Sequence, residues 1–115
     1  SFDYILDQAT KKLPGYMLSH ERLLFLQEHD DSSGSEYMRT LRCYLDNHCN
    51  VVQTARELFI HRSTLLYRLE KIKEILQSDL TSPDETLYLM LSFRFIDLEN
   101  KEENHSASSL PEKHR

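Results

Sequence analysis

Residues 61–76, with the sequence HRSTLLYRLEKIKEIL, constrain the fold of this chain more than any other stretch. Four aliphatic residues recur there at intervals of three and four, namely Leu65, Leu69, Ile72 and Leu76. At 100° per residue they share one face of an α-helix, whereas Ser63 and Tyr67 fall roughly opposite them. The stretch therefore predicts an amphipathic helix, from about Arg62 to Leu76, with a polar outer side.

A shorter helix is predicted immediately before it. Asn50 is a good N-cap residue, and Gln53, three positions later, makes a capping box possible. Residues 51–58, VVQTAREL, then follow, and their expected inward positions are Val51, Ala55 and Leu58. The tripeptide FIH at 59–61 breaks the pattern before the second helix starts. A short helix, a tight break and a longer helix with a polar outer side predict a helix-turn-helix over residues 50–76.

The rest of the chain predicts an all-α helical bundle around this motif. The 115 residues include only 2 Gly and 3 Pro, which favours helices over sheets. SHERLLFLQEH is expected to direct Leu23, Leu24, Leu26 and Phe25 toward a core. A turn is expected at 30–35, and a further amphipathic helix in EYMRTLRCYLDNH. We place the domain at residues 19–98, with an ambiguous segment at 1–18 and a disordered tail at 99–115.

The last helix of the domain is predicted from a clear start signal. In SPDE, residues 82–85, Ser82 is the expected cap, Pro83 takes the first helical position and Glu85 completes a capping box. The helix that follows is apolar on almost every side. Two interpretations remain open for it, a central core helix and a dimer seam, and the two are compatible.

The charge is unevenly distributed. The net charge is −5, which by itself argues against a nucleic-acid partner. Residues 40–76, however, hold 6 basic and 4 acidic side chains, whereas residues 1–39 carry −3 and residues 77–115 carry −4. Because salt screens charges beyond roughly 8 Å, the local excess near the helix-turn-helix matters most for binding. The distribution gives weak support to a DNA contact there.

The part of the chain around the helix-turn-helix resembles a known family. Four features carry the resemblance, namely TLRCYL at 40–45, Asn50, TARELFIHR at 54–62 and TLLYRLEKI at 64–72. They resemble the C-terminal helix-turn-helix of PucR-type transcriptional regulators, a group that includes CdaR-like activators. The resemblance covers roughly residues 19–98, and the break with the second helix is also similar to the DNA-binding end of Fis-type proteins. It implies a cytoplasmic, usually homodimeric, duplex-DNA-binding regulator whose upstream domain senses an effector. Such a domain is absent from this chain.

Two positions depart from the usual patterns. Many helix-turn-helix proteins place Gly in the break, where φ can be positive, whereas this chain has Phe59. PucR-type proteins tolerate an aromatic residue there, so we expect a turn of different conformation with Phe59 packed. Ser63 stands where the family usually has Asn, which implies a different base preference, because Ser pairs with almost any base.

The candidate DNA-binding residues lie in the first turns of the second helix. Arg62, Ser63, Thr64 and Tyr67 are expected in the major groove, while Arg68 and the amides near Arg62 hold phosphates. His61 and Lys71 are further candidates. Each has a simpler interpretation as a solvated, capping or packing residue. Glu70 and Glu74 would repel phosphates, so the groove contact should be confined to residues 61–68.

Other functional classes have little support in the sequence. Cys43, His48 and Cys49 lie close together, but a structural zinc site usually needs four ligands, so we expect no metal and no cofactor. No phosphate-binding glycine loop or catalytic constellation is present, so we expect no enzyme activity. No apolar run is long enough for a membrane span. Two isolated cysteines fit a reducing cytoplasm, and a start at Ser1 leads us to expect a piece of a longer protein. The main alternative is a helical oligomerisation or protein-interaction module with a degenerate helix-turn-helix.

Overall fold

The computed structural model describes residues 19–109, with side chains described as far as His105. The ambiguous segment 1–18 and residues 110–115 lie outside the described part. Within it the chain forms five helices, which are α1 (Ser19–Ser33), α2 (Tyr37–Asp46), α3 (Val51–Leu58), α4 (Arg62–Leu76) and α5 (Pro83–Ser109). The all-α expectation is confirmed, and the predicted bounds of α4 agree with the structure.

The first turn begins later than the sequence indicates. α1 continues through Asp30 to Ser33, and the chain reverses at Gly34, whose φ is +73°. Asp30 explains the difference, because its carboxylate accepts hydrogen bonds from the backbone N–H groups of Tyr37 (2.9 Å) and Met38 (2.8 Å). These are orphan donors at the start of α2, so an acidic residue from the preceding helix acts as their cap.

A single core joins all five helices. α1 packs against α2, α4 and α5, and α2 packs against α3, α4 and α5. The buried apolar residues are Leu23, Leu26, Leu41, Leu45, Ala55, Leu58, Leu65, Leu69, Ile72, Leu76, Leu80, Leu89 and Phe93. The expectation for α1 was partly wrong, because Leu24 and Phe25 are about half exposed. They lie off the face defined by Leu23 and Leu26, which packs into the core.

α5 is held against α2 by charge as well as by apolar packing. Arg42 forms a bidentate ion pair with Asp97, and its guanidinium lies 5.4 Å from the ring centroid of Phe93. At the other end, the backbone N–H of Glu85 donates to the Ser82 hydroxyl over 3.3 Å, as the capping signal predicts. These contacts orient α5 across the bundle.

The prediction of a disordered tail from residue 99 was wrong for its first part, because α5 runs on to Ser109. Residues 99–105 are all exposed, so this extension is not held by the core. Its Glu and Lys residues are good helix formers, and neither Gly nor Pro occurs before Pro111, so the hydrogen-bonded ladder continues from the packed part of α5.

α5 is both a core helix and a carrier of exposed apolar surface. Leu89 and Phe93 are buried, which confirms the core interpretation. A second set of apolar residues follows at intervals of four, four and three and is at least half exposed, namely Leu87, Leu91, Phe95 and Leu98. We call these four residues the α5 stripe. No helix within residues 19–109 is long and apolar enough to cross a bilayer.

Candidate nucleic-acid interface

The helix-turn-helix is closed by a cap at each end of α3. The Asn50 side chain accepts a hydrogen bond from the backbone N–H of Gln53 over 2.9 Å, as predicted. At the carboxyl end, the N–H of Ile60 donates to Ala55 O (3.1 Å) and the N–H of Phe59 donates to Arg56 O (3.2 Å). This is the hydrogen-bond pattern of a Schellman motif, and it ends α3 within one residue.

Two expectations for Phe59 were wrong, namely that the turn differs from a glycine turn and that the side chain is packed. Its φ of +56° and ψ of +42° are left-handed, so the turn has the conformation that Gly usually provides. Its side chain is 92% exposed instead of packed. The Schellman motif requires a left-handed residue whatever its type, and at this position the side chain points to solvent.

Burial of one face of α4 determines which side chains face outward. Leu65, Leu69, Ile72 and Leu76 are all buried, which confirms the predicted inner face. The carboxyl end of α4 is also held, because Arg22 of α1 donates to Leu76 O over 3.3 Å. α4 is therefore anchored along its whole length, and its opposite side can present residues at fixed positions.

The amino-terminal end of α4 is exposed and polar. His61, Arg62, Ser63 and Thr64 are all exposed, and among the described residues none of their side chains has a hydrogen-bond or ion-pair partner. His61 occupies the N-cap position without a side-chain cap. Since the first amides of an α-helix have no acceptor within the helix, this end combines outward N–H groups with four polar side chains.

Tyr67 and Lys71 lie one and two turns further along. Tyr67 is 62% exposed, and the Lys71 ammonium lies 5.7 Å from its ring centroid. Lys71 also lies 3.8 Å from Glu74, and Lys73 lies 3.7 Å from Glu70. The carboxyl half of α4 thus neutralises its own charge, which leaves the amino half as the cationic part of the outer surface.

Arg68 is placed differently from the other candidates. Only 23% of its side chain is exposed, because its Nη1 donates to the Thr40 hydroxyl of α2 over 3.1 Å. The same nitrogen lies 3.8 Å from a carboxylate oxygen of Glu36. The structure therefore brings His61, Arg62, Ser63, Thr64 and Tyr67 together, and sets Arg68 at the edge of this surface against α2.

One neighbouring residue was absent from the sequence-based candidates. Arg39 of α2 is exposed and lies 3.6 Å from the same Glu36 oxygen that faces Arg68. Arg39 and Arg68 are 29 positions apart and on different helices, so no helical periodicity relates them. Their proximity follows only from the packing of α2 against α4.

A hydrogen-bonded carboxylate fixes α3 on α2. Glu57 accepts from Asn47 Nδ2 (2.8 Å) and from the Cys43 thiol (3.3 Å). The bonds from Asn47, Cys43 and Gln53, in that order, lower the pKa of Glu57.

Burial is the main cause that raises the pKa of Cys43 and of Cys49, so both thiols favour the protonated form. Within residues 19–105, no three His, Cys, Asp or Glu side chains are grouped as a metal site would require.

Comparison with known proteins agrees with this geometry. The profile of the PucR C-terminal helix-turn-helix domain matches residues 37–95, which run from the start of α2 into α5 and include the whole helix-turn-helix. The match is shorter than the 19–98 expected from the resemblance, since it leaves out α1. No solved structure matches the chain.

Several curated proteins are similar to parts of the chain. The purine catabolism regulatory protein of Bacillus subtilis (strain 168) is 41% identical over 68 residues, which are 59% of this chain and 12% of that protein. The proline-responsive transcriptional activator PutR of the same organism is 41% identical over 59 residues, 51% of this chain and 14% of the relative. The carbohydrate diacid regulator of Escherichia coli (strain K12) is 38% identical over 56 residues, 49% and 14% of the two chains.

The matched part is a small share of each of these relatives, between 12% and 14% of their length. In this chain it contains the helix-turn-helix that the residues alone predicted, with a capped short helix and an anchored second helix. With the profile covering 59 of 115 residues, the chain belongs to the PucR C-terminal helix-turn-helix domain family.

Proposed function

We propose that this domain binds duplex DNA sequence-specifically and is the output domain of a PucR-type transcriptional regulator. The observation that supports this most strongly is the exposed, polar amino-terminal end of α4 on a helix whose opposite face is buried. In the proposed complex α4 enters the major groove by that end. Arg62, Ser63, Thr64 and Tyr67 contact base edges and the adjacent backbone, and the first amides of α4 contact a phosphate.

The side chains available determine what the domain can discriminate. The guanidinium of Arg62 can donate two parallel hydrogen bonds to the O6 and N7 atoms of guanine. Ser63 stands where the family usually has Asn, and a hydroxyl pairs with almost any base. We therefore expect the strongest base preference at the position that Arg62 contacts and a weaker one at the position of Ser63.

The salt dependence of binding tests the proposal directly. The chain is titrated against fluorescently labelled random duplex DNA, and anisotropy is measured at several salt concentrations. If the domain contacts about four phosphates, its affinity should fall about 150-fold between about 50 and 200 mM salt through counterion release. Binding that is absent or insensitive to salt would contradict the proposal.

Arg62→Ala tests the assigned surface. Because Arg62 is exposed and has no partner among the described residues, its removal should leave the helical circular dichroism signal and the melting temperature unchanged. DNA affinity should fall by roughly 1–3 kcal/mol. Lys101→Ala is the matched control, since Lys101 is an exposed cation on the extension of α5 and far along the chain from the motif. Equal affinities of the two variants would remove Arg62 from the interface.

We further propose that the domain forms a homodimer through the α5 stripe. The four exposed apolar residues of the stripe lie on one side of a long helix, so a second copy can present the same surface about a twofold axis. A dimer of helix-turn-helix domains binds half-sites about one helical turn apart, so the operator should be roughly palindromic with a spacing of about 34 Å.

Sedimentation of the chain over a range of concentrations tests the dimer. Leu91→Glu places a charge in the middle of the stripe and should shift the equilibrium to monomer. Val52→Glu is the control, because Val52 is also an exposed apolar residue but lies on α3. A parent chain that sediments as a monomer at every concentration would contradict the dimer. A dimer without salt-dependent DNA binding would instead support the alternative function, a helical oligomerisation module, which the α5 stripe also favours.

The setting of the domain in a whole regulator is part of the same proposal. The curated relatives are much longer than the segments they share with this chain. We propose that an upstream domain senses a small effector, and that the regulator works in the cytoplasm, where bacterial DNA lies.

A further inference from the structure

A carboxylate lies between two arginines at the edge of the proposed DNA-binding surface. One oxygen of Glu36 is 3.6 Å from Arg39 Nη1 and 3.8 Å from Arg68 Nη1. Arg39 belongs to α2 and Arg68 to α4, so this arrangement, which we call the bridging cluster, spans two helices. Its formal charge is +1, and both Glu36 and Arg39 are exposed.

The bridging cluster is continuous with the exposed end of α4. Arg68 follows Thr64 by one turn, so the two side chains lie on the same flank of the helix. The Thr40 hydroxyl accepts a hydrogen bond from Arg68 Nη1 over 3.1 Å and so directs this guanidinium along the flank toward α2. A duplex seated on the amino-terminal end of α4 therefore has two further cations beside it.

Two guanidinium groups facing one anionic oxygen form an arrangement that also suits a phosphate, because Arg presents several N–H donors in a fixed plane. Among the described residues, the carboxylate that now occupies this position is held by contacts at 3.6 and 3.8 Å alone, and it is exposed to solvent. Exposed ion pairs of this kind are weak, so a phosphate of the DNA backbone can replace the carboxylate.

We propose that Arg39 and Arg68 bind a backbone phosphate, and that Glu36 occupies the phosphate position in the free domain and thereby lowers DNA affinity. The inference rests on the proposed DNA-binding function and extends it from α4 to α2. Glu36 is thus an internal competitor of the phosphate, while Arg39 is a positioning contact on the backbone and not a reader of bases.

Two substitutions test the bridging cluster with opposite expected signs. Each phosphate contact contributes about 0.9 to the slope of log affinity against log salt, which is about eightfold in affinity between 1 M and 0.1 M salt. Arg39→Ala should therefore weaken binding by up to about eightfold at 0.1 M salt and make the slope shallower by about 0.9. Glu36→Gln should tighten binding at low salt and make the slope steeper. Arg39→Lys, which keeps the charge, should restore most of the slope.

The controls separate the failure of this inference from the failure of the proposed function. Glu102→Gln and Lys101→Ala make the same kind of charge change on the exposed extension of α5 and should leave the parent's slope unchanged. If the parent binds DNA with a steep salt slope but both cluster variants match these controls, only the bridging cluster is refuted. A weaker Glu36→Gln variant would show that Glu36 orients Arg68 and would overturn its role as competitor. A parent without salt-dependent binding would overturn both proposals, and unchanged melting temperatures would verify that the variants are folded.

Discussion

Replacement of Phe59 by Gly should stabilise this domain, although it removes a large aromatic side chain. Phe59 ends α3 with φ at +56°, a region in which residues with a Cβ atom are strained. Its side chain is 92% exposed, so it contributes almost no buried area to the folded state. The usual cost of deleting a Phe side chain, loss of packing in a core, therefore does not apply here.

The magnitude follows from two opposing terms. Relief of the left-handed strain contributes about 1–2 kcal/mol, while the greater freedom of Gly in the unfolded chain costs about 0.4–1 kcal/mol. The net stabilisation should be about 0.8 kcal/mol, which corresponds to a rise of about 3–6 °C in melting temperature for a domain of this size. Phe59→Ala retains the strain and loses no packing, so it should change stability little.

Urea denaturation followed by circular dichroism, together with thermal melts, measures both variants. The expected order of stability is Phe59→Gly above the parent, with Phe59→Ala close to the parent. Gln77→Gly provides an independent check, because Gln77 ends α4 with φ at +51° and is also exposed. If both Phe59 variants were destabilised by more than about 1 kcal/mol, the side chain would have to be packed, and the assignment of an exposed turn would be wrong.

Two further predictions concern the core and the contact between α2 and α5. Leu65→Ala should destabilise the domain by about 2–5 kcal/mol in urea denaturation, because Leu65 is fully buried. Leu66→Ala is the control and should cost much less, because Leu66 is exposed. Similar costs of the two variants would mean that α4 is rotated about its axis. The hydrogen bonds from Arg42, and then the charge of Arg42, lower the pKa of Asp97. The stabilisation that Asp97 contributes is therefore present above the ordinary Asp pKa of about 4, and it is lost as pH falls through the lower pKa of the folded state. Asp97→Asn should therefore flatten the acid limb of stability measured against pH, and an unchanged limb would argue against the ion pair in solution.

The sequence predicted helices most reliably where periodicity and capping agree. The buried face of α4, the N-cap at Asn50 and the start of α5 at Ser82 and Pro83 all depend on residues within a few positions of one another. Local pattern is sufficient for such features, because a helix repeats every 3.6 residues and its orphan amides are satisfied by adjacent side chains. The exposure of Ser63 and Tyr67 followed from the same angles.

The errors occurred where more than one helix, or the backbone itself, decides the outcome. Leu24 and Phe25 are as apolar as their buried neighbours, and the packing of α1 against its partners leaves them outside. The extension of α5 to Ser109 follows from its continuity with a packed helix, which composition alone does not reveal. The turn at Phe59 takes a left-handed conformation because the Schellman motif that ends α3 requires one, not because the residue prefers it.

The sequence by itself determined that the chain is helical and which face of α4 is buried, since both follow from patterns that repeat along the chain at short range. Only the tertiary structure decided what lies beside the exposed end of α4. The approach of Glu36 and Arg39 to Arg68, and the diversion of Arg68 toward Thr40, depend on how α2 crosses α4. Contacts between residues far apart in sequence are set by the packing of whole helices, and no local spacing encodes them.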